Sequence, residues 1–487
     1  MFRTIAERVP RDPDDPARVH RLDTYARMRD GTLYDVLPYP FHQERTGLDE
    51  YVPLRDRAPS VRSGLCRTVV DDSVAMLFGE GRFPVIHTED RAQRAALALL
   101  AQDMKLGEVM TRAAILGSVG SVVLRLRVIR GRAYADALET TYLTPVFDPE
   151  APDTLLYVTE RRKVTGAELR ASGYDIAISD LQTTFWFERC WDRGAEIWMQ
   201  PLPLAQAMEG VTAAIDPQRS LCHGLGFVPL VWVRNLPGGD EIDGECTFRA
   251  ALDTVIEIDY QLSQAGRGLK YSSDPTLLIK EPASPGEDMI KGGGNAIVVN
   301  ESGDAKLLEI GGTASAAVID YVRMLRDLAL ESMHGNRALP DRLAGAQSGR
   351  ALEMLYAPLI AMVDHLRSSY GEDGLLALMR MALVAARKLG GLKLRNGQRL
   401  PLAEAPLSLR WGPWFPLSPA DAALEAGALV QLKSAGLIST ETAVQQVADE
   451  FGLTDLPAEL ARIAADRGPL SAESADAVRW NAVAPST

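Results

Sequence analysis

Five polar residues within one short stretch, Asn336, Arg337, Arg342, Gln347 and Arg350, have side chains suited to a phosphate oxyanion. A guanidinium offers several N–H donors in a planar fork, and amides add neutral donors. Such a set can touch a nucleic-acid backbone without reading bases. The same arginines could equally pair with Asp341, Glu353 or a neighbouring subunit. Lys280, Lys291 and Lys306 form a second, sparser set that could face DNA or a protein partner, or simply be solvated as most surface lysines are.

Other chemistry finds little support. Gly292-Gly293-Gly294 has no Lys-Ser/Thr after it and no helix to lend an N-terminus, so it fails as a phosphate-cradling loop. Gly345 to Gly349 misses the G-x-S-x-G spacing of a hydrolase elbow, and Ser348 reads better as a helix N-cap. Cys66, Cys190, Cys222 and Cys246 lie far apart with no C-x-x-C pair, which predicts reduced core thiols; Cys222-His223 reads as a chance neighbour. Six scattered histidines and no paired carboxylates give no catalytic or metal-binding constellation, so the expectation is a non-enzyme without cofactor.

At 487 residues, 46% hydrophobic and 24% charged, the chain can bury a large core across several structural units. The formal charge of −13 argues against tight gripping of a nucleic-acid backbone, yet leaves room for loose passage of DNA. The most apolar stretches, 121–129 and 375–386, are interrupted by Arg125, Arg127 and Arg380, so no membrane span is expected. The charged N-terminal residues predict a protein that begins in the cytoplasm.

The elements around the arginine-bearing loop are the strongest pattern. Val318, Tyr321, Leu325 and Leu328 recur at helical spacing, predicting an amphipathic helix up to His334, with Gly335 as its left-handed cap. A second helix follows the loop, and Pro358 within it should break or kink it. Upstream, 248–269 reads as a long helix striped by Phe248, Leu252, Val255, Ile258, Leu262 and Ala265. Between the helices, 276–280 reads as a strand, and 295–300 should pair with 305–310 across the turn Glu301-Ser302-Gly303-Asp304.

Toward the N-terminus, residues 1–20 read as an arm, followed by helices at 21–29, 63–77, 91–102 and 106–116. Strands are predicted at 121–128 and 133–139 across an Arg130-Gly131-Arg132 turn, then at 155–161, 183–190, 196–201 and 228–234, the unit ending near Pro237-Gly238-Gly239. A strand at 407–411 and two helices, the second capped by Ser439 or Thr440, complete an α+β reading. Trp411, Trp414 and Phe415 form an aromatic cluster suited to an interface or to a core.

Five segments in order, RLDTYARMRDGTLYD, the helix ending in Phe78-Gly79, AILGSVGSVVLRLRV, QSGRALEMLYAPL and the C-terminal AGLIS stretch, resemble the portal (head-to-tail connector) proteins of tailed bacteriophages. The resemblance implies a wing from 1–240 and 351–412, with an arm at about 1–20. It implies stem helices at 241–271 and 311–334, a clip at 272–310, a tunnel loop at 335–350 and a crown at 413–487. It further implies a dodecameric ring in the virion at one capsid vertex, assembled in the host cytoplasm. Expected partners are the terminase large subunit, a head-completion adaptor, capsid and scaffold proteins, and double-stranded DNA. On that reading the loop residues touch DNA in the channel, and the three lysines sit on the clip facing motor or adaptor. The alternatives are an α+β enzyme with an unrecognised site, or another minor head protein.

Overall fold

The alternation of apolar residues with Arg125 and Arg127 produces the expected hairpin, and the rest of the fold is built around it. The computed structural model describes residues 1–273, 276–282, 299–308, 312–335, 349–415, 419–447 and 456–467. In chain order the N-terminal elements are α1 (Phe2–Ala6), α2 (Ala17–Arg29), β1 (Tyr39–Pro40), β2 (Arg57–Ala58), α3 (Leu65–Phe78), β3 (Val85–His87), α4 (Arg91–Asp103) and α5 (Leu106–Gly117). The sheet strands are β4 (Ser121–Ile129), β5 (Arg132–Glu139), β6 (Leu143–Phe147) and β7 (Leu155–Thr165). After α6 (Gly166–Ala171) come β8 (Thr184–Trp191), β9 (Ala195–Trp198) and β10 (Leu202–Pro203); after α7 (Leu204–Met208) come β11 (Leu221–Cys222) and β12 (Leu230–Arg234).

Two antiparallel sheets hold the centre, one ordered β12-β4-β5 and one β11-β9-β8-β7-β6 with β10 beside β8. Val123, Leu230 and Trp232 of the first meet Leu143, Val158 and Trp191 of the second in one buried cluster. Apolar burial of this kind, at about 25 cal/mol per Å², is the main force closing the two layers. On α3, the predicted face of Leu65, Val69, Ser73 and Met76 is buried throughout. The segment read as an arm is tied down: Ile5 and Val9 are buried, and Arg18 donates to Asp243 through Nε and Nη2, both at 2.7 Å.

Pro237-Gly238-Gly239 does not end the unit. Asn235 and Gly244 both donate their N–H to the Gly120 carbonyl, so the glycines form a tight internal turn, where a Cβ on Gly239 would stand 2.3 Å from the Asp243 carbonyl oxygen. The chain continues in the same unit through α8 (Leu252–Ser273), β13 (Thr276–Pro282), β14 (Val299–Leu308) and α9 (Gly312–Ser332).

Pro358 does not break the next helix. It lies inside α10 (Gly349–Leu366), which runs on through the wide π-helical turns of Arg367–Leu376 into α11 (Ala377–Lys388). A proline there costs about 3 kcal/mol or more in lost hydrogen bonding and crowding. Firm anchoring lies further along, where Tyr370 donates to Oδ1 of the buried Asn235 at 3.0 Å and Ser369 donates to its carbonyl at 2.7 Å. Then β15 (Ser408–Arg410) pairs antiparallel with β3, completing the first unit, 1–338 with 356–414.

The second unit, 339–355 with 415–487, holds α12 (Pro419–Ser434) and α13 (Thr440–Val447), the two helices read from the sequence, and beyond them α14 (Leu456–Arg467). Ser439 caps α13, its Oγ accepting from the Thr442 N–H at 3.0 Å. Leu424 (73%), Val430 (67%) and Leu437 (72%) remain largely exposed. The chain is thus a mixed helix-and-sheet α+β protein. Among the described residues no helix is long and apolar enough to cross a membrane.

Candidate functional site: a helical hairpin and its β extension

α8 starts as a core helix and loses its surroundings along its length. Phe248, Leu252, Val255 and Ile258 are buried, while Leu262 and Ala265 are only partly covered and Leu269 is 48% exposed. The change follows a polar anchor. Asp259 accepts from the Tyr34 hydroxyl and from the Ser63 N–H, both at 2.7 Å; Ser263 donates to the Asp259 carbonyl and accepts from the Val61 N–H. Burial pushes the Asp259 carboxyl above the usual carboxylate range, against the lowering effect of those donors, and pushes the Tyr34 phenol well up. Tyr260 adds a bond to the Arg57 carbonyl at 2.9 Å.

α9 packs against α8 with a different stripe from the one the sequence suggested. Leu325, Ala329, Leu330 and Met333 are buried, but Tyr321 (41%) and Leu328 (52%) face out with Ile319 and Met324. The helix carries two apolar faces, and a single stripe at three- and four-residue steps cannot tell which one the chain itself covers.

The cap also differs. His334, at φ +52°, takes the left-handed position; Gly335 donates to the Leu330 carbonyl and His334 to that of Glu331, the pairing of a Schellman cap. Gly335 is required instead for close packing, since a Cβ would stand 2.8 Å from Leu330 Cδ2 and 2.9 Å from Val69 Cγ2.

Between the helices, β13 pairs antiparallel with β14, and Glu301-Ser302-Gly303-Asp304 lies within β14 rather than at a hairpin turn. The step from Lys280 to Pro282 faces the longer step from Asp304 to Val299, so the turn-forming residues are absorbed as an irregularity in the ladder. Lys280 is exposed opposite Asp304, and Lys306 stands opposite Leu278 in the register. Arg350 is the second residue of α10. Lys291, Asn336, Arg337, Arg342 and Gln347 lie outside the described residues, as do Gly292 to Gly294 and Ser348.

Cys66 and Cys246 are buried thiols; burial raises both, Cys246 to about 12. Cys190 is half-buried, and Cys222, expected in the core, is exposed because β11 is a short edge strand. His223 bonds the Asp192 carbonyl and the Leu225 N–H. No group of three or more metal-binding side chains occurs among the described residues. Trp411 and Trp414 flank the Arg367 guanidinium at 4.8 and 3.3 Å, and Trp411 lies against Phe78. The tryptophans therefore hold a cation, an arrangement that sequence spacing could not reveal.

No family model matches the chain, and no characterised protein matches it in sequence. Among solved structures it is similar to a chain of the virion of a native gene transfer agent particle, at 11% identity and TM-score 0.36. It is also similar to chains from the necks of native and empty particles, each at 13% identity and TM-score 0.36. In each case the similarity covers 79% of this chain and 88% of the other.

Proposed function

We propose that this chain is a portal subunit, one of twelve forming a ring at a single vertex of a tailed-phage-like head. The observation that carries the proposal is the outward apolar face of α9, with Ile319 at 45%, Tyr321 at 41%, Met324 at 57% and Leu328 at 52% exposure. Arg323, Asp320, Arg326 and Asp327 border it, the arrangement of an interface with a polar rim. A second copy is the occupant that the portal-like order of sequence segments favours. Contacts of one face with a different face of the next copy close into a ring when the rotation closes.

On this reading α8 and α9 form the stem, β13 and β14 the clip, 335–350 the tunnel loop and 413–487 the crown. DNA passes through the channel in both packaging and ejection while terminase supplies the energy, and Lys280, Lys291 and Lys306 meet motor or adaptor. Asn336, Arg337, Arg342, Gln347 and Arg350 make sparse backbone contacts, which suits a strand that must slide. The ring is tested by mass: twelve subunits of 53.0 kDa give 12 × 53.0 = 636 kDa. A ring of that mass by light scattering and electron microscopy is expected; a 53.0 kDa monomer at every concentration and with scaffold protein present would refute it.

A further inference from the structure

Two hairpin tips in the first unit meet to form an open cleft of about 420 Å³, lined by Ile129, Arg130, Arg132, Tyr134, Lys393, Leu394, Arg395 and Gly397. One tip is the Arg130-Gly131 turn between β4 and β5, with φ +54° and +80°. The other is the Asn396-Gly397 turn, closed by the Leu394 N–H donating to the Gln398 carbonyl and the Gly397 N–H to that of Leu394. The Lys393 N–H donates to the Gly131 carbonyl at 2.8 Å and locks the tips together. None of these residues belongs to the 335–350 loop.

Four cations thus line one cleft in a chain whose formal charge is −13. Asp103 engages Arg132 at 2.8 Å and accepts the Arg395 backbone N–H at 3.2 Å. Among the described residues no carboxylate lies within ion-pair distance of Arg130, Lys393 or Arg395, so three of the four positive charges are uncompensated. Arg132 lies 4.8 Å over the Tyr134 ring, which fixes its guanidinium plane. Ile129, 46% exposed, and Leu394 add apolar wall beside the charges.

We infer that this cleft binds the phosphate groups of a nucleotide unit, either in a nucleic-acid backbone or in a free nucleotide. Guanidinium forks and an ammonium hold phosphate oxygens. The cleft is larger than an inorganic phosphate fills, and its apolar wall suits a sugar. Contacts from these cations to phosphate oxygens position a nucleotide and carry no sequence information. The inference does not depend on the portal reading.

The test uses the full-length protein with two probes, a short labelled duplex DNA and a nucleoside diphosphate. The variant Arg130→Asn/Arg395→Gln removes two charges, and asparagine tolerates the positive φ at position 130. Arg193→Gln, an exposed cation on the β8–β9 turn, is the control. Expected is binding of at least one probe that weakens about tenfold per lost charge-assisted hydrogen bond. For duplex DNA the salt slope should also fall by about 1 per lost contact. The control should be unchanged. Duplex binding alone assigns a nucleic-acid backbone, and diphosphate binding alone a free nucleotide. Absence of both, or equal effects of the double variant and the control, overturns the inference. Lys393→Gln, which keeps both turns, decides the case if the double variant misfolds.

Discussion

The Tyr34 hydroxyl donates to Oδ2 of Asp259 at 2.7 Å across 225 residues of sequence, and this bond fixes the point where α8 leaves the core. Asp259 is 2% exposed, so removing it strands the buried Tyr34 hydroxyl and takes the partner from the part-buried Ser63 N–H. Asp259→Ala should destabilise the protein by about 2–4 kcal/mol, and Tyr34→Phe by about 1–2 kcal/mol. Denaturant titration of both and of the double variant gives their coupling; additive effects would contradict a direct bond.

At the end of α9 the two neighbours His334 and Gly335 should respond in opposite ways. Gly335→Ala forces a Cβ against Leu330 and Val69 and should cost about 1–3 kcal/mol. His334→Gly relieves the left-handed backbone and should stabilise by about 1 kcal/mol. Thermal melts of the two variants, compared with the wild type, check the signs.

The thiols give a graded prediction. A disulfide-forming reagent should label Cys222 first, Cys190 more slowly, and Cys66 and Cys246 only on unfolding. Cys246 is raised from 9.0 to about 12 and Tyr260 from 10.0 to about 12, so the folded state holds their protons more tightly than the unfolded chain does. Their contribution is complete below pH 9 and is lost as pH rises toward 12. Denaturant midpoints measured across that interval should fall; a rise would contradict the assignment.

Much of the α+β body was legible because its signals are local. The Arg130-Gly131 turn, the α3 face and the Ser439 cap each depend on a few adjacent residues. What escaped depends on distant partners. β6 and β3 are short strands defined by β7 and β15, and the anchor of the long helix beyond Pro358 is the bond from Tyr370 to the distant Asn235. The turn expected at 301–304 gave way to a longer ladder with β13. In the candidate site, helical spacing located both helices of the hairpin, yet Tyr321 and Leu328 belong to a second apolar face that periodicity merged with the first.

If the 335–350 loop touches DNA, Arg342→Glu should lower DNA packaging or retention while leaving assemblies intact, because a carboxylate repels the phosphates that the guanidinium attracts. Packaging assays and particle counts together separate these effects; unchanged packaging would remove Arg342 from the contact set.

The outward face of α9 carries the central claim, and charging it gives the most direct measurement. Light scattering should show wild-type protein near 636 kDa, twelve times 53.0 kDa, and Met324→Glu/Leu328→Glu protein near 53.0 kDa with an unchanged circular dichroism spectrum. Wild-type protein that stays at 53.0 kDa with scaffold present, or a double variant that still forms the full assembly, would contradict it.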